Sequence, residues 1–296
     1  MSEVIPVVLF AYRRADLLRR ALASLRANDV PLIYAFSDGP RDAEVAAEVA
    51  EVRAELRAVD WTRIEIAEAS VNLGVATAEL QGIEGVLEHH EMAVMVEEDL
   101  EFGPGTYDFI CAGLRHYRND SLAMGVTAWN HPRLTPAGVT QPYFTGRMSG
   151  LMWGTWKRAW SGMLEATALK RLQECRAKGI DPSRYGDDLL HAPADDEAKG
   201  MWDLRFNLHM LARDGLFLFP ALSMVRHTGY DARATNSPDG TGWTDVVSMP
   251  PNLAEVRWPA VLEHPGSAAP WRTAMNAPRR TWLSRIKRRF DRWRKR

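Results

Sequence analysis

The chain has 296 residues, of which 46% are hydrophobic and 25% are charged, a composition typical of a soluble globular protein. This length allows a sizeable core, in one large domain or in one with a smaller annex, and the composition excludes a disordered or fibrous chain. The two cysteines, Cys111 and Cys175, are too few for a disulfide framework and lack metal-ligand spacing, which predicts a reduced, cytoplasmic setting.

Positive charge is concentrated at the carboxyl terminus. Ten of the 37 Lys and Arg residues lie between Arg279 and Arg296 with one acidic residue, so the rest of the chain has a net charge of −10. A nucleic-acid-binding protein spreads basic surface over its fold, so no nucleic-acid partner is predicted. The apolar run from Val4 to Tyr12 follows Glu3 and is short, which predicts neither a secretory signal nor a membrane span there.

Apolar runs and helical patterns alternate through the first 100 residues. Strands are predicted at 5–12, 32–36, 63–66 and 92–96. Helices are predicted between them, beginning near Asp16, running from 42 to 59, and following the apolar positions Ala76, Leu80, Ile83 and Leu87. Strands that alternate with helices of this length imply right-handed crossovers. The pattern therefore predicts an α/β fold with a mostly parallel sheet flanked by helices.

The alternation becomes less regular after residue 102. Further elements are predicted in order: a helix after residue 105, strands at 124–129 and 216–220, and a helix from 202 to about 214. The acidic segment 185–200 is predicted to be a mobile loop, and 225–229 a polar turn. Trp153, Trp156 and Trp160 suit either core packing or stacking on sugar rings.

Three consecutive acids, Glu97, Glu98 and Asp99, directly follow the strand at 92–96. The carboxyl ends of strands in an open α/β sheet form the edge at which such folds bind ligands. Crowded carboxylates repel one another, and two or three oxygen ligands suit Mg²⁺ or Mn²⁺. The alternative is a solvated acidic turn.

Four motifs lie between residues 10 and 100. They are Phe10-Ala11-Tyr12-Arg13-Arg14, Ser37-Asp38-Gly39, Asn72-Leu73-Gly74 and Val96-Glu97-Glu98-Asp99-Leu100. In their order and spacing they resemble those of bacterial nucleotide-sugar-dependent glycosyltransferases with the GT-A fold. Within that group the chain is most similar to the inverting branch related to the Golgi N-acetylglucosaminyltransferase that starts complex N-glycan branches.

The resemblance implies a fold and an activity. The fold is a GT-A, Rossmann-like domain over 1–265, with a nucleotide-sugar-binding half at 1–105 and a smaller acceptor-side half at 106–265. The activity is inverting, metal-dependent transfer of a hexosyl or N-acetylhexosaminyl group from a nucleotide-diphosphate sugar, with a UDP-sugar favoured. The acceptor is a glycan or glycolipid in bacterial surface polysaccharide synthesis.

The resemblance also implies roles for residues around the nucleotide. Tyr12 and Arg14 would lie against it, with Arg14 near the base or a phosphate. Asp38 would accept a hydrogen bond from the base, as the corresponding acid does for uracil.

The resemblance implies that the acid triplet contacts the nucleotide sugar and the metal. Glu97 and Glu98 would contact the nucleotide sugar, with Glu98 facing the ribose or the sugar. Asp99 would ligate the Mn²⁺ or Mg²⁺ that bridges the diphosphate. The chain has Glu98 where Asp is common in the family, and the Glu side chain is longer by one methylene group.

An inverting transfer needs a general base for the acceptor hydroxyl. Asp203, which follows Trp202 at the start of a predicted helix, is the predicted base, and Asp195 and Asp196 are the alternatives. Asp203 also suits a purely structural place in the first turn of a helix, where an acid is favoured. His227 is a candidate further metal ligand or a satisfied polar residue.

Two other functions agree with parts of the sequence. A sugar nucleotidyltransferase also uses a nucleotide and a metal on an α/β sheet. Such an enzyme needs a Gly-rich phosphate loop after its first strand, whereas this chain has Ala11-Tyr12-Arg13-Arg14-Ala15 there. A non-catalytic carbohydrate-binding relative is the second alternative, and the intact acid triplet argues against it.

The segment 279–296 predicts a membrane-docking helix. Trp282, Ile286, Phe290 and Trp293 form one apolar stripe, and Arg and Lys residues flank it. A basic amphipathic helix of this kind lies in the interface of an anionic membrane. Together with a lipid-linked glycan acceptor, the tail predicts a cytoplasmic protein that is peripheral at the inner face of the cytoplasmic membrane.

Overall fold

The computed structural model describes residues 3–231, 233 and 247–276, and its first part alternates strands with helices. In chain order the elements are β1 (Val7–Ala11), α1 (Ala15–Ala27), β2 (Leu32–Ser37), α2 (Ala46–Arg57), β3 (Arg63–Glu68), α3 (Val75–His89) and β4 (Met92–Glu97). Each of the four strands predicted here is present, with ends that differ from the prediction by two residues or fewer.

The later elements do not keep this alternation. They are β5 (Leu100–Phe102), α4 (Thr106–His116), β6 (Ala123–Thr127), β7 (Tyr143–Thr145), β8 (Trp153–Trp156), α5 (Lys157–Trp160), α6 (Ala168–Ala177), α7 (Asp188–Lys199), α8 (Trp202–Leu211), β9 (Leu216–Phe219), β10 (Val225–His227) and α9 (Ala268–Met275). The strands predicted at 124–129 and 216–220 correspond to β6 and β9, and the helix predicted from 202 corresponds to α8.

Within the described residues, eight strands form one sheet in the order β3-β2-β1-β4-β8-β6-β9-β7. The pairs β2–β3, β1–β2 and β1–β4 are parallel, as is usual for strands joined by crossover helices. Strand β8 runs antiparallel to β4 and β6, β7 runs antiparallel to β9, and β6 pairs in parallel with β9. The predicted fold class, an α/β fold with a large, mostly parallel sheet flanked by helices, is confirmed.

The strand order reverses beside β1. The chain adds β2 and then β3 on one side of β1, and returns to place β4 on the other side. In an open α/β sheet this reversal leaves a crevice at the carboxyl ends of the two strands involved. The register places Phe10 of β1 opposite Glu97 of β4, so the acid triplet begins at the mouth of this crevice.

The tryptophans of 150–160 belong to the hydrophobic core. Trp153, Trp156 and Trp160 are almost completely buried, and the rings of Trp153 and Trp160 each lie 5.6 Å from that of Phe206 on α8. Burial on this scale decides between the two interpretations of these indoles in favour of core packing. The same packing holds α8 against the sheet.

The predicted mobile loop at 185–200 is wrong, because α7 occupies most of that segment. Asp188 lies in the first turn of α7, where a carboxylate interacts favourably with the helix dipole, and Arg147 donates hydrogen bonds to it. Asp196 on the same helix is paired with Arg205 of α8 at 2.9 Å. Cationic partners from other segments offset the acidic charge, and local composition does not reveal them.

The predicted polar turn at 225–229 is also wrong in its first part. Val225–His227 form β10, which pairs antiparallel with β5 so that Val225 lies opposite Phe102 and His227 opposite Leu100. This short ladder brings His227 back beside the acid triplet.

Two predictions concern parts of the chain that the structure tests only partly or not at all. The basic segment 279–296 lies outside the described residues, so its amphipathic helix stays a prediction. No helix in the described part is both long enough and apolar enough to cross a membrane. The division of the domain at residue 105 also stays a prediction.

Candidate functional site

A cavity of about 200 Å³ lies across the carboxyl ends of β2, β1 and β4, and we call it the central cavity. Its walls combine aromatic, basic and acidic side chains: Phe10, Ala11, Tyr12, Arg13, Arg14, Phe36, Asp38, Arg41, Asn72, Gly74, Val75, Ala78, Glu79, Glu97, Glu98 and Arg233. Asp38 follows β2 and the acid triplet follows β4, so two strand spacings, about 10 Å, separate the two acidic edges of the cavity.

Asp38 holds the loop that forms one wall of the central cavity. Its Oδ1 accepts hydrogen bonds from the N–H groups of Gly39 and Leu73, both at 2.8 Å. Its Oδ2 accepts from Asn72 Nδ2 at 2.9 Å and from the N–H of Gly74 at 3.0 Å. Four donors fill the usual acceptor capacity of a carboxylate. The structure therefore gives Asp38 a loop-holding role, and its contact with a base stays a prediction.

Glu98 and Arg14 join the ends of β1 and β4. The N–H of Tyr12 donates to Glu98 Oε2 at 2.6 Å, and Arg14 Nε donates to Glu98 Oε1 at 2.8 Å. The hydroxyl of Tyr12 is buried and has no hydrogen-bond partner among the described residues. An unsatisfied hydroxyl at the wall of a cavity is costly unless a ligand or water bonds to it. The structure thus brings Tyr12, Arg14 and Glu98 together, and the Tyr12 hydroxyl is a polar group that a ligand can satisfy. Their contact with a nucleotide sugar stays a prediction.

Asp99 lies beneath Arg14 and is only 4% exposed. Its Oδ2 accepts from Arg14 Nη2 at 2.7 Å and lies 3.3 Å from His227 Nε2. Burial by itself would raise the pKa of Asp99, but the hydrogen bond and charge of His227 and the charge of Arg14 together hold it below its ordinary value. Asp99 is therefore a carboxylate at neutral pH, in contact with two cationic or polar nitrogen groups.

The segment that follows β10 covers Asp99. The carbonyl oxygen of Gly229 accepts from Arg14 Nη1 at 3.2 Å, and a Cβ at position 229 would lie 2.0 Å from Asp99 Oδ2. Only glycine fits this close approach. Farther along, Arg233 donates to both carboxylate oxygens of Asp16 at 2.8 and 2.9 Å, which fastens the segment to α1.

Asp99 and His227 supply the donor atoms that suit a divalent cation here. Asp99 Oδ1 is buried and has no hydrogen-bond partner in the described part of the chain, and a carboxylate and an imidazole are both ligands of Mn²⁺. Residues 3–231, 233 and 247–276 contain no group of three or more His, Cys, Asp or Glu arranged to hold a metal. The two donors fit an ion whose other ligands are phosphate oxygens and water.

Glu97 and Glu79 form the acidic wall of the central cavity. Burial raises the pKa of Glu97 well above its ordinary value, and the charges of Glu79 and Asp99 add to the effect. Burial likewise raises the pKa of Glu79 to about 7, although the hydrogen bond from Trp202 opposes this.

Glu79 was not among the residues predicted for the site. The signal for it lies in α3, whose apolar stripe includes the partly buried Ala76 and the buried Ile83. Glu79 falls three residues after the first and four before the second, on the same side of the helix as an apolar stripe. An acid in that register, five residues after the Asn72-Leu73-Gly74 motif, indicates a functional position.

Asp203 lies beside the acidic wall. Trp202, the residue before it, donates from its indole nitrogen to Glu79 Oε2 at 2.6 Å, and the charge of Asp203 contributes to the raised pKa of Glu79. Burial raises the pKa of Asp203 more than the N–H of Leu204 and the charge of Arg147 lower it. A half-buried carboxylate with a raised pKa has the properties of a general base.

The alternative bases differ from Asp203 in their surroundings. Asp196 is paired with Arg205, which neutralises its charge. Asp195 lies on the same helix, α7, and is half-buried. The assignment of the base to Asp203 stays a prediction, which the geometry beside Trp202 favours.

Comparisons with known proteins give matches among solved structures. No protein-family model matches the chain, and no curated protein matches it. Among solved structures, the fold is similar to S. aureus TarS 1-349, with a TM-score of 0.45 and 13% sequence identity. That alignment covers 77% of this chain and 61% of TarS 1-349, so the chain spans about three fifths of the length of that protein.

A second similar structure is the mannosyltransferase PcManGT from Pyrobaculum calidifontis in complex with GDP-Man and Mn²⁺. The TM-score is 0.39 and the identity 14%, over 71% of this chain and 74% of that one. At these identities and TM-scores neither similarity carries an argument about function.

Proposed function

We propose that this protein is a glycosyltransferase that moves a sugar from a nucleotide-diphosphate sugar to a glycan acceptor. The observation that carries the proposal is the central cavity, which lies at the strand-order reversal with a basic group and three carboxylates at one end. The acids of this end are Glu79, Glu97 and Glu98, and Asp99 lies behind them, paired with Arg14. Arg14 pairs with Glu98 and Asp99, and His227 contacts Asp99, which provides the charge pattern of a site for a diphosphate and a divalent cation.

The proposed donor lies along the cavity, from the Asp38 side to the acidic wall. The nucleotide lies on the side of Asp38 and Asn72, where the loop that Asp38 holds shapes the wall. The diphosphate lies near Arg14, whose guanidinium is suited to phosphate oxygens. The sugar then reaches the acidic wall of Glu79 and Glu97, next to the first turn of α8.

The reaction requires two charge movements. The acceptor hydroxyl oxygen forms a bond to the anomeric carbon while the bond from that carbon to the diphosphate breaks, and the bonding electron pair leaves with the diphosphate. Asp203 takes the proton of the attacking hydroxyl, and Arg14 stabilises the charge that gathers on the leaving group. Attack from the face opposite the leaving group inverts the anomeric configuration.

Asp99 and His227 would hold a divalent cation, which would supply Lewis-acid stabilisation of the leaving diphosphate. The residues on the protein side contribute independently of it. The pairs that Arg14 makes with Glu98 and Asp99 fix its guanidinium in place before the donor arrives, so no reorganisation is needed during the reaction.

We further propose the finer assignments that the resemblance implies. These are the inverting branch related to the Golgi N-acetylglucosaminyltransferase, a UDP-sugar donor, Mn²⁺ or Mg²⁺, and a hexosyl or N-acetylhexosaminyl group. The acceptor is a glycan or a lipid-linked glycan of a bacterial surface polysaccharide. The four motifs from residue 10 to residue 100 support these assignments.

Binding of a donor tests the proposal most directly. We expect UDP-glucose, UDP-N-acetylglucosamine or GDP-mannose, each with Mn²⁺, to raise the melting temperature, because a ligand that binds only the native state stabilises it. At a concentration of 100 times Kd the stabilisation is about 2.7 kcal/mol. Thermal shift measurements with each donor, and with Mn²⁺ alone, provide the readout.

Donor hydrolysis then separates an enzyme from a non-catalytic relative. Release of the nucleoside diphosphate from the bound donor, dependent on the metal, supports a transferase. Binding of a donor without any hydrolysis or transfer to a glycan acceptor favours the binding protein. Thermal stability that does not respond to any nucleotide or nucleotide sugar contradicts the proposal.

We also propose that the segment 279–296 docks the enzyme on an anionic membrane surface. Each basic residue near such a surface contributes about 1 kcal/mol, so several of the ten suffice for binding. A protein truncated before Pro278 is expected to lose binding to liposomes that contain phosphatidylglycerol, and to keep transfer to a small soluble acceptor. Co-sedimentation at low salt measures the loss.

Liposomes of phosphatidylcholine provide the control for that experiment, because they remove the anionic headgroups and keep the bilayer. Full-length protein that binds both kinds of liposome equally well rules out an electrostatic contribution. Equal binding of the truncated and full-length proteins to anionic liposomes rules out docking through the segment 279–296.

A further inference from the structure

Glu79 lines the central cavity but has no role in the proposed reaction. It lies on the second turn of α3, is half-buried, and lines the central cavity together with Glu97 and Glu98. The other residues that α3 places in the cavity wall, Val75 and Ala78, are apolar. A single acid on an otherwise apolar helical wall is costly to bury without a partner, so its presence calls for a chemical reason.

The contact with Trp202 uses one of the two carboxyl oxygens of Glu79. The indole N–H of Trp202 donates to Glu79 Oε2 at 2.6 Å. No further hydrogen bond to Glu79 occurs among residues 3–231, 233 and 247–276. The bond to Trp202 fixes the orientation of the carboxyl group and leaves Oε1 for a ligand in the cavity.

We propose that Glu79 contacts a hydroxyl group of the donor sugar and thereby helps to select that sugar. This inference rests on the proposed glycosyltransferase function. The contact belongs to the end of the cavity where the sugar meets Asp203, because Trp202 joins Glu79 directly to the start of α8.

The chemistry of a sugar ring agrees with this role. A sugar presents hydroxyl groups in fixed directions, and a carboxylate oxygen accepts a hydroxyl hydrogen bond more strongly than a neutral group does. A donor sugar with an axial hydroxyl and one with an equatorial hydroxyl at the same carbon then differ in this contact.

A matched pair of variants separates sugar recognition from structural support. Glu84, one and a half turns farther along α3, accepts from the indole nitrogen of Trp160 at 2.6 Å, as Glu79 does from that of Trp202. Glu84 does not line the central cavity. Glu79→Ala and Glu84→Ala therefore each remove one carboxyl–indole hydrogen bond from the same helix, and only the first removes a carboxyl group from the cavity.

Titration calorimetry measures the effect as two dissociation constants. The probes are UDP with UDP-glucose and UDP-N-acetylglucosamine, and GDP with GDP-mannose, all in Mn²⁺. We expect Glu79→Ala to weaken the best nucleotide sugar about tenfold or more, because a hydrogen bond to a charged group is lost. We expect binding of the matching nucleoside diphosphate to change less than about twofold, and Glu84→Ala to change neither constant by more than this.

Three other outcomes contradict the inference in different ways. If Glu79→Ala weakens the nucleotide sugar and the nucleoside diphosphate equally, Glu79 supports the cavity and does not read the sugar. If Glu79→Ala leaves both constants unchanged while the wild-type protein binds a nucleotide sugar, the inference fails and the proposed function stands. If the wild-type protein binds none of the five nucleotides, both fail.

Discussion

Replacing Asp99 with Asn is expected to lower transfer activity about 100-fold or more, because a metal contributes several kcal/mol of charge stabilisation to a leaving diphosphate. The substitution keeps the shape of the side chain and removes the charge that His227 and Arg14 surround. Arg14 retains its bond to Glu98, so the fold is expected to survive, which circular dichroism checks. Binding of Mn²⁺ in the presence of UDP, followed by electron paramagnetic resonance, is expected to weaken in parallel with activity.

Glu101→Gln is the matched control for this change. Glu101 lies two residues beyond Asp99, on β5, and its carboxylate pairs with Arg20 at 3.1 Å outside the central cavity. Glu101→Gln removes one negative charge close to Asp99 in the sequence, and it is expected to leave Mn²⁺ binding unchanged. Full activity of Asp99→Asn in excess chelator would contradict the metal mechanism altogether.

The parts of the fold that local sequence determines are predicted well. The run from Met92 to Val96 is apolar at every position because β4 is buried on both faces, and burial on both faces is what its position between β1 and β8 requires. The acids that end it fall at the carboxyl edge of the sheet for the same reason. The strands β1 to β4 and the place of the acid triplet therefore follow from the order of apolar and polar residues.

Features that depend on contacts between distant segments are not predicted. The charge on α7 suggests a loop until Arg147 and Arg205, from other parts of the chain, are seen to neutralise Asp188 and Asp196. The short strand β10 forms against β5, which lies far earlier in the chain: Val225 pairs with Phe102, 123 residues before it.

The candidate site also combines features that local sequence predicts with features that depend on contacts between distant segments. The motif that contains Asp38 is visible in the sequence, but the four hydrogen bonds that occupy Asp38 come mostly from a loop some 35 residues later. Glu79 carries a local signal, an acid in the register of an apolar stripe. Its partner Trp202 lies 123 residues away, so the sequence suggests the position and the fold supplies the reason.

The base is tested by Asp203→Asn, which keeps the shape of the side chain and removes its ability to take a proton. Turnover is expected to fall by a factor of about 10² to 10⁴, while the dissociation constant of the nucleotide sugar stays the same. A base must be ionised to act. Because the pKa of Asp203 is raised, the wild-type rate is expected to be lost as pH falls through this raised value, at a higher pH than an exposed Asp would give.

Asp196→Asn provides the comparison on the neighbouring helix. It breaks the pair with Arg205 without touching the central cavity, so a loss of thermal stability with nearly normal turnover is expected. Asp195→Asn completes the set, because Asp195 is the other acid of α7 that the sequence leaves open. Normal turnover in Asp203→Asn, together with a loss of 10²-fold or more in either of the other two at unchanged donor binding, would move the base to α7.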